Sequence, residues 1–269
     1  MTAPQNRSAL VTGASSGIGL AYARRLAAAG YDLIAVGRRR DRLDALAAEF
    51  PAARIRAVAA DLGTDAGVDA VAKVCADADL AMLVNNAGVA HYMPFTDLPA
   101  AKATELLHVK VVAPTLLAHA VAPGMVARGG GTIVNVSGML AFSGPMPGDK
   151  LPLRRAVYTA TLAHIVALSQ ALHEELKSQN IRVQALCPGV VATEFHERQG
   201  LDLSKVPRMS ADDVVTASLR GLELGEVVCA PGVERADLLD AVFNADREAF
   251  AAQSPQLAER YRSGRSTVS

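Results

Sequence analysis

Short apolar runs alternate with longer helical patterns along most of this 269-residue chain. The apolar runs have the length of buried strands, such as residues 8–12 and 80–84, and each is followed by a helical pattern of ten or more residues. This alternation is typical of βαβ units, whose strands pair in parallel because each helix carries the chain back along the sheet. The sequence therefore predicts an α/β fold built on a doubly wound parallel sheet.

The chain shows neither an internal repeat nor a dividing linker, so we expect a single domain over residues 1–269. Residues 190–210 are expected to form a loop or lid beside the site. Residues 138–155 are expected to be a loop insertion, because they hold a high density of chain breakers: Gly144, Pro145, Pro147, Gly148 and Pro152.

The charge balance argues against polyanionic partners. Lys plus Arg and Asp plus Glu number 27 each, which leaves no net field to attract nucleic acid or an acidic membrane. The three cysteines lack a Cys-x-x-Cys pair and the histidines lack metal-ligand spacing, so neither a disulfide framework nor a metal site is expected. The polar N-terminus runs directly into the first strand, and no uncharged apolar run is long enough to span a bilayer. We therefore expect a cytoplasmic protein.

A glycine-rich turn follows the first strand, with Gly13, Gly17 and Gly19 in the sequence TGASSGIG. Gly13 and Gly17 let the backbone come close to a diphosphate, and Gly19 lets the helix pack on the strand. Free N–H groups at the start of the helix favour negative charge. A purely structural turn uses the same residues, but the strand-turn-helix setting favours a dinucleotide site in a Rossmann-type fold.

The Gly-x-x-x-Gly-x-Gly spacing resembles that of the short-chain dehydrogenase/reductase (SDR) family. Four further motifs agree with it in order: Asp61 after strand three, Asn85-Asn86-Ala87-Gly88 after strand four, Tyr158 early in a long helix, and Pro188-Gly189-Val190-Val191-Ala192-Thr193 after strand six. The resemblance covers residues 8 to about 193. It implies an oxidoreductase with a nicotinamide cofactor, and a homodimer or homotetramer formed through two long helices.

The resemblance also implies roles for single residues. Asp61 and Leu62 would meet the adenine, the Asn86 segment would line the adenosine ribose, and Val191 and Thr193 would hold the nicotinamide carboxamide. The alternative for each residue is a purely structural role, in which a loop residue forms hydrogen bonds to backbone groups.

The end of strand two indicates the type of cofactor. An acidic residue there accepts from the ribose hydroxyls of NAD, whereas a cation pairs with the 2′-phosphate of NADP. This chain has Gly37-Arg38-Arg39-Arg40 and no acid, so we predict NADP(H), with Arg38 as the main partner and Ser15 as a helper. The alternative is a solvated helix start. The expected cofactor-binding residues are Gly13, Ser15, Ser16, Gly17, Ile18, Gly19, Arg38, Asp61, Leu62, Asn86, Ala87, Gly88, Tyr158, Pro188, Gly189, Val191 and Thr193.

The family's catalytic set is only partly present. The family places a Tyr hydroxyl against a carbonyl, a Lys one helical turn later, a Ser after strand five and an Asn on the preceding long helix. Tyr158 matches the Tyr, but the other three positions are Leu162, Gly138 and Lys110. Ser137 is expected to point to the opposite face, and the inserted loop is a possible source of Ser143 instead.

A tyrosine without a neighbouring cation is a poor base, since its ordinary pKa is near 10, but it can still donate a proton. A Lys gained at 110 and one lost at 162 suggest an exchange, in which Lys110 brings its ammonium to the Tyr158 hydroxyl from the other helix. The alternatives are a solvated Lys110 and a Tyr158 that only packs. Tyr158 and Lys110 are therefore the catalytic candidates.

The residues expected to line the substrate pocket are mainly apolar: Val89, His91, Tyr92, Met139, Phe142, Met146 and Phe195. They favour an NADP(H)-dependent oxidoreductase that transfers hydride between the nicotinamide and a small apolar carbonyl, C=N or C=C substrate. Two other hypotheses stay open. One is a catalytically weak NADP-binding protein with a sensor or partner role, and the other is a non-redox enzyme that uses the same pocket.

Overall fold

Seven parallel strands form one sheet at the centre of the fold. The computed structural model describes residues 7–144, 146 and 154–262. The strands are β1 Ser8–Thr12, β2 Asp32–Gly37, β3 Ile55–Ala59, β4 Leu80–Asn85, β5 Gly131–Val136, β6 Ile181–Leu186 and β7 Val228–Cys229. They lie in the order β3-β2-β1-β4-β5-β6-β7, and every neighbouring pair is parallel. The predicted doubly wound parallel sheet is confirmed.

Helices cover both faces of the sheet. They are α1 Gly17–Ala28, α2 Arg40–Glu49, α3 Asp65–Asp77, α4 Ala100–Leu107, α5 Ala113–Ala127, α6 Ala156–Leu176, the short α7 Phe195–Arg198, and α8 Ala211–Leu224. Successive strand residues face opposite sides: Ala9 and Val11 join the core under α1 and α8, whereas Leu10 joins the core under α3 and α5. Because both faces are buried, the strands read as continuous apolar runs.

The strand order reverses between β1 and β4, and this reversal opens a crevice at the carboxyl ends of the strands. Thr12 at the end of β1 holds the two diverging loops together. Its hydroxyl oxygen accepts from the backbone N–H groups of Asn86 at 2.9 Å and Ala87 at 3.0 Å. The Asn86 amide donates in turn to the Thr12 carbonyl at 2.9 Å. The functional loops are therefore fixed where the crevice begins.

The stretch from Ala100 to Ala127 is not one regular helix. Residues His108–Val112 form a π-helical turn between α4 and α5, which ends two residues before Pro114. Pro114 has no N–H to donate to the Lys110 carbonyl four residues earlier, so the α-helical pattern is interrupted there, close to the predicted kink. By length and composition alone this stretch is apolar enough to cross a membrane. In this fold Leu117 and Val121 are buried against the sheet, as in a core helix.

The C-terminal segment forms a compact unit of its own. The chain divides into residues 1–232, which contain the sheet, and residues 233–269. The second unit contains α9 Asp237–Ala251, none of whose residues is buried. The sequence predicts a single domain. In the sequence this boundary shows only the pair Pro231-Gly232, which is too short to indicate a linker.

The predicted insertion at 138–155 is described only in part, whereas the predicted lid at 190–210 is described throughout. The insertion begins with a 3-10 helix, Met139–Phe142, but Pro145, Pro147, Gly148 and Pro152 lie outside the described residues. The lid at 190–210 contains α7, and a bridge between Val191 and Met209 joins its two ends.

A buried hydrogen-bond network joins α1, α8 and β6. The hydroxyl of Tyr22, which is fully buried, donates to Ser218, and the Ser218 hydroxyl donates to the side chain of Gln184. The Gln184 amide returns a bond to the Ser218 carbonyl at 3.2 Å. The network satisfies polar groups that are costly to bury alone.

We expect Tyr22→Phe to lower the free energy of unfolding by about 1–2 kcal/mol, because the Ser218 oxygen loses its donor inside the core. Urea denaturation at pH 7 measures the change. Tyr261→Phe is the matched control: Tyr261 is 62% exposed, and its substitution should change the free energy by less than about 0.5 kcal/mol. Equal effects of the two substitutions would show that the network does not stabilise the fold.

Candidate active site

The turn between β1 and α1 forms a cradle that only glycine can build. Gly13 has a φ of +67°, and a Cβ there would lie 2.7 Å from the side-chain nitrogen of Asn86. A Cβ at Gly19 would lie 2.3 Å from the carbonyl oxygen of Gly13. Ser16, the N-cap of α1, makes no side-chain cap bond, and the first turn of α1 holds no acidic residue. The exposed N–H groups and the close backbone packing fit a dinucleotide diphosphate.

One cleft of about 560 Å³ brings most of the predicted residues together. Of the expected cofactor residues, only Gly17 and Gly19 are missing from its wall. Both belong to the first turn of α1, behind the residues that line the cleft. Both catalytic candidates lie in the wall. Of the expected substrate-pocket residues only His91 is absent, because its ring pairs with Glu105 at 2.9 Å; the prediction that His91 lines the pocket is wrong.

The three consecutive arginines after β2 have different partners. Arg40 pairs with Asp44 at 2.8 Å on the exposed side of α2. Arg39 donates to the Ser15 hydroxyl at 3.1 Å and pairs with Glu194 at 2.6 Å. Arg38 is exposed in the cleft wall and makes no ion pair within the described part of the chain. Its guanidinium is therefore available to an anionic ligand.

Tyr158 lies in the first turn of α6 with its hydroxyl hydrogen-bonded to that of Tyr92. The two rings meet edge to face, with centroids 5.7 Å apart. Burial, and then the charge and hydrogen bond of Tyr92, raise the pKa of Tyr158 far above its usual value. The Tyr92 hydroxyl lies 3.5 Å from Nδ1 of His196 on α7. Tyr158 thus stays protonated at neutral pH, at the inner end of a polar chain that leads to the lid.

The altered catalytic positions are well packed. Leu162 is buried, and its carbonyl accepts from the Ser137 hydroxyl at 2.8 Å, so that hydroxyl is directed at α6. Gly138 supplies no side chain. Ser143 from the insertion does lie in the cleft wall, where its hydroxyl donates to Leu140 and accepts from Arg155 at 3.0 Å.

Lys110 points inward from the π turn and is almost fully buried. Its ammonium donates to the Val136 carbonyl at 3.1 Å, and its side chain fills the space where a Cβ on Gly88 would stand. Burial lowers the pKa of Lys110 to about 8. The alternative of a solvated lysine is therefore wrong. In this structure Lys110 bonds to Val136 and Tyr158 bonds to Tyr92, so the exchange of lysine positions stays a hypothesis.

Sequence reasoning missed Tyr92 as the partner of Tyr158 and His196 as the partner of Tyr92, and it missed Glu194 altogether. Glu194 lies next to the recognised Thr193, but its partners Arg39 and Arg42 are some 150 positions away in the chain. Hydrogen bonding by Arg39, with smaller contributions from Ser16 and Arg42, lowers the pKa of Glu194 to about 2. In the sequence, this ion-pair cluster is indicated only by an acidic residue directly after the motif at 188–193 and by the arginines at 38–42.

The comparison with known proteins agrees with this geometry. Residues 7–203 match the sequence model of the short chain dehydrogenase family. The very-long-chain 3-oxoacyl-CoA reductase of Mus musculus is 33% identical over 223 residues, which cover 80% of this chain and 68% of that protein. The chain spans between 56% and 68% of the length of the curated reductases that it matches.

Two solved structures are similar over nearly the whole chain. A short-chain dehydrogenase from Sphingobium yanoikuyae, solved in complex with NADPH, is 36% identical with a TM-score of 0.89, covering 95% of this chain and 100% of that one. The bulky-bulky ketone specific alcohol dehydrogenase from Comamonas testosteroni is 30% identical with a TM-score of 0.84, covering 95% and 98%. Sequence and fold lead to one conclusion: the chain belongs to the short-chain dehydrogenase family of nicotinamide-dependent oxidoreductases.

Proposed function

We propose that the protein is an NADP(H)-dependent oxidoreductase that reduces a small apolar carbonyl, or a related C=N or C=C group. One observation carries the proposal: the protonated Tyr158 hydroxyl lies in the wall of the same cleft as the glycine cradle. A hydride donor and a proton donor are the two components that such a reduction needs.

The choice of NADP over NAD is supported by the end of β2. Arg38 is exposed in the cleft wall without an acidic partner among the described residues, and residues 37–40 at the end of β2 include no Asp or Glu to accept from ribose hydroxyls. The nearby Glu194 carboxylate is already paired with Arg39 and Arg42. Ser15 lies in the same cleft wall, where its hydroxyl accepts from Arg39. The similar Sphingobium protein was solved with NADPH. Arg38 would hold the 2′-phosphate, and the start of α1 would hold the diphosphate.

The chain's own residues act mainly on the proton. NADPH, when bound, supplies the hydride. Tyr158 donates its proton to the substrate oxygen as negative charge develops there, and its raised pKa keeps it protonated until that moment. Tyr92 can replace the proton, since its hydroxyl already bonds to that of Tyr158. A tyrosine without a cationic partner is suited to donate a proton rather than to remove one, which favours reduction over oxidation.

The substrate class follows from the rest of the cleft wall, where Val89, Leu140, Phe142 and Phe195 are apolar. The relatives named above are a 3-oxoacyl-CoA reductase and a ketone-specific dehydrogenase, which supports a ketone substrate. The proposal also includes a cytoplasmic homodimer or homotetramer without nucleic-acid or membrane partners. The pairing is expected through the stretch Ala100–Ala127, which holds α4 and α5, and through α6. The exposed apolar Leu107 on α4 and Leu116 on α5 support the first of these two surfaces.

A second candidate is a catalytically weak NADP-binding protein with a sensor or partner role. It is favoured by Leu162, which leaves Tyr158 without a hydrogen-bonded Lys or Arg in the part of the chain that the structure describes. The two candidates differ in one cheap measurement, the absorbance of NADPH mixed with the protein and a panel of apolar ketones, aldehydes and imines. Turnover supports the enzyme, and tight binding without turnover supports the sensor.

Arg38→Ala should raise the Kd for NADPH about 10- to 100-fold and leave the Kd for NADH nearly unchanged. A hydrogen bond to a charged group contributes about 1.5–3 kcal/mol, and about 1.4 kcal/mol corresponds to a factor of ten. Calorimetric titration with each dinucleotide measures both constants. Arg40→Ala is the matched control, because Arg40 already pairs with Asp44, and it should alter neither. Equal affinity of the wild type for NADH and NADPH would contradict the role of Arg38.

Tyr158→Phe should lower kcat about 10²- to 10⁴-fold with the best compound of the panel, since it removes the proton donor. If the Lys110 ammonium assists Tyr158, Lys110→Met should also abolish turnover. Wild-type kcat should then fall as pH rises through about 8, where the lysine loses its charge. An unchanged rate in Lys110→Met would overturn the exchange hypothesis and leave Tyr158 as the single catalytic residue.

A further inference from the structure

One carboxylate joins three separate segments at the edge of the cleft. Glu194, at the start of the lid, pairs with Arg39 at 2.6 Å and with Arg42 on α2 at 3.1 Å. Arg198 on α7 approaches the same carboxylate at 3.3 Å, and Ser16 makes a further hydrogen bond. We call these five residues the Glu194 cluster. It links the turn after β1, the turn after β2 and the segment after β6.

The cluster lies beside the place where a diphosphate would bind. Ser16, Arg39, Thr193 and Glu194 all belong to the cleft wall. The Thr193 methyl group lies 3.0 Å from the position of a Cβ built on Gly17, so the chain crosses the glycine turn immediately before it reaches Glu194. The lid therefore enters the cluster directly after it passes over the cradle.

We propose that Glu194 is a positioning residue for coenzyme retention: its ion pair with Arg39 ties the lid to the turn after β2, and a dinucleotide in the cleft leaves only when this pair opens. The inference rests on the proposed function for the identity of the ligand. Breaking the pair would loosen the lid whether or not a coenzyme is present.

The charges of the cluster suit this role. Three guanidinium groups surround one carboxylate, so the edge of the cleft keeps a positive surplus toward phosphates even with Glu194 ionised. Arg39 and the other donors hold the pKa of Glu194 near 2, so its charge is lost only as pH falls toward that value. The tie is then insensitive to pH between about 5 and 8. Salt should weaken it, because all four charged side chains are partly exposed.

The opposing interpretation is that the Glu194 carboxylate only repels the coenzyme phosphates. Its removal would then release Arg39 and Arg42 to bind them. In that case Glu194→Gln would bind NADPH more tightly, and the lid would be no more mobile than before.

The first test uses trypsin and needs no coenzyme. Lys205 and Arg208 lie in the lid and are not members of the cluster, so cleavage after them reports lid opening. Glu194→Gln should be cleaved there about 5- to 10-fold faster than the wild type, as expected for the loss of a small exposed ion-pair network. Glu197→Gln is the matched control, because Glu197 is an exposed lid residue without an ion pair in the described part of the chain. It should be cleaved at the wild-type rate.

Two further variants separate a tie from general destabilisation. Arg39→Gln should also accelerate lid cleavage, though less than Glu194→Gln, because the carboxylate keeps Arg42 and Arg198. The double variant should be cleaved no faster than Glu194→Gln alone, because that substitution already removes the pair with Arg39. Cleavage after Lys177, outside the lid, should not change in any of them. Acceleration at Lys177 as well would show a loss of global stability and overturn the local tie.

The second test measures NADPH dissociation by displacement in a stopped-flow instrument. Glu194→Gln should release NADPH about 5- to 10-fold faster, and in 0.5 M NaCl the ratio of the variant's rate to the wild-type rate should fall toward one. Wild-type cleavage and dissociation rates in Glu194→Gln, or tighter NADPH binding, would overturn the proposal. A wild type that binds no nicotinamide dinucleotide would refute the proposed function, and the trypsin result would still decide whether Glu194 holds the lid.

Discussion

The close approach of two backbone turns at the carboxyl ends of β1 and β4 determines the rest of this site. Thr12 accepts from two N–H groups of the turn after β4, while Asn86 reaches back to the end of β1. This contact leaves no space for a side chain at Gly13 or Gly19. The same contact directs the start of α1 into the crevice where the strand order reverses, so the cradle, the cleft wall and the lid all depend on it.

The part of the cleft around Tyr158 keeps a hydroxyl that can donate a proton, whereas the position of the family's lysine is occupied by Leu162. Leu162 packs where the family has its lysine, and burial then holds Tyr158 in its protonated form. The Lys110 ammonium is also buried, and the Val136 carbonyl offsets part of its desolvation. The protein thus retains one buried positive charge and one buried hydroxyl in the same cleft, each with a partner of its own. This arrangement is consistent with a proton donor that is replenished through Tyr92 and His196.

The sequence predicts the parts of the structure that depend on neighbouring residues. The alternation of strands and helices, the glycine turn and the ordered motifs are all local patterns, and they locate the cleft wall almost completely. Interactions between distant segments are not visible in this way. Glu194 meets Arg39 only after folding, and the Tyr92 partner of Tyr158 comes from a loop some 65 positions earlier. The π turn before Pro114 is only partly predictable from the sequence: the proline predicts an interruption of the helix, but not the π-helical geometry of that interruption.

Calorimetric titration of Gly13→Ala with NADPH tests whether the glycine turn binds a nicotinamide dinucleotide. Gly30→Ala is the matched control, since Gly30 also has a positive φ, of +81°, but no neighbour within 4 Å of an added Cβ. Binding at the glycine turn predicts that Gly30→Ala loses some stability and still binds NADPH like the wild type, whereas Gly13→Ala does not bind. Folded Gly13→Ala protein that binds NADPH with wild-type affinity would contradict it.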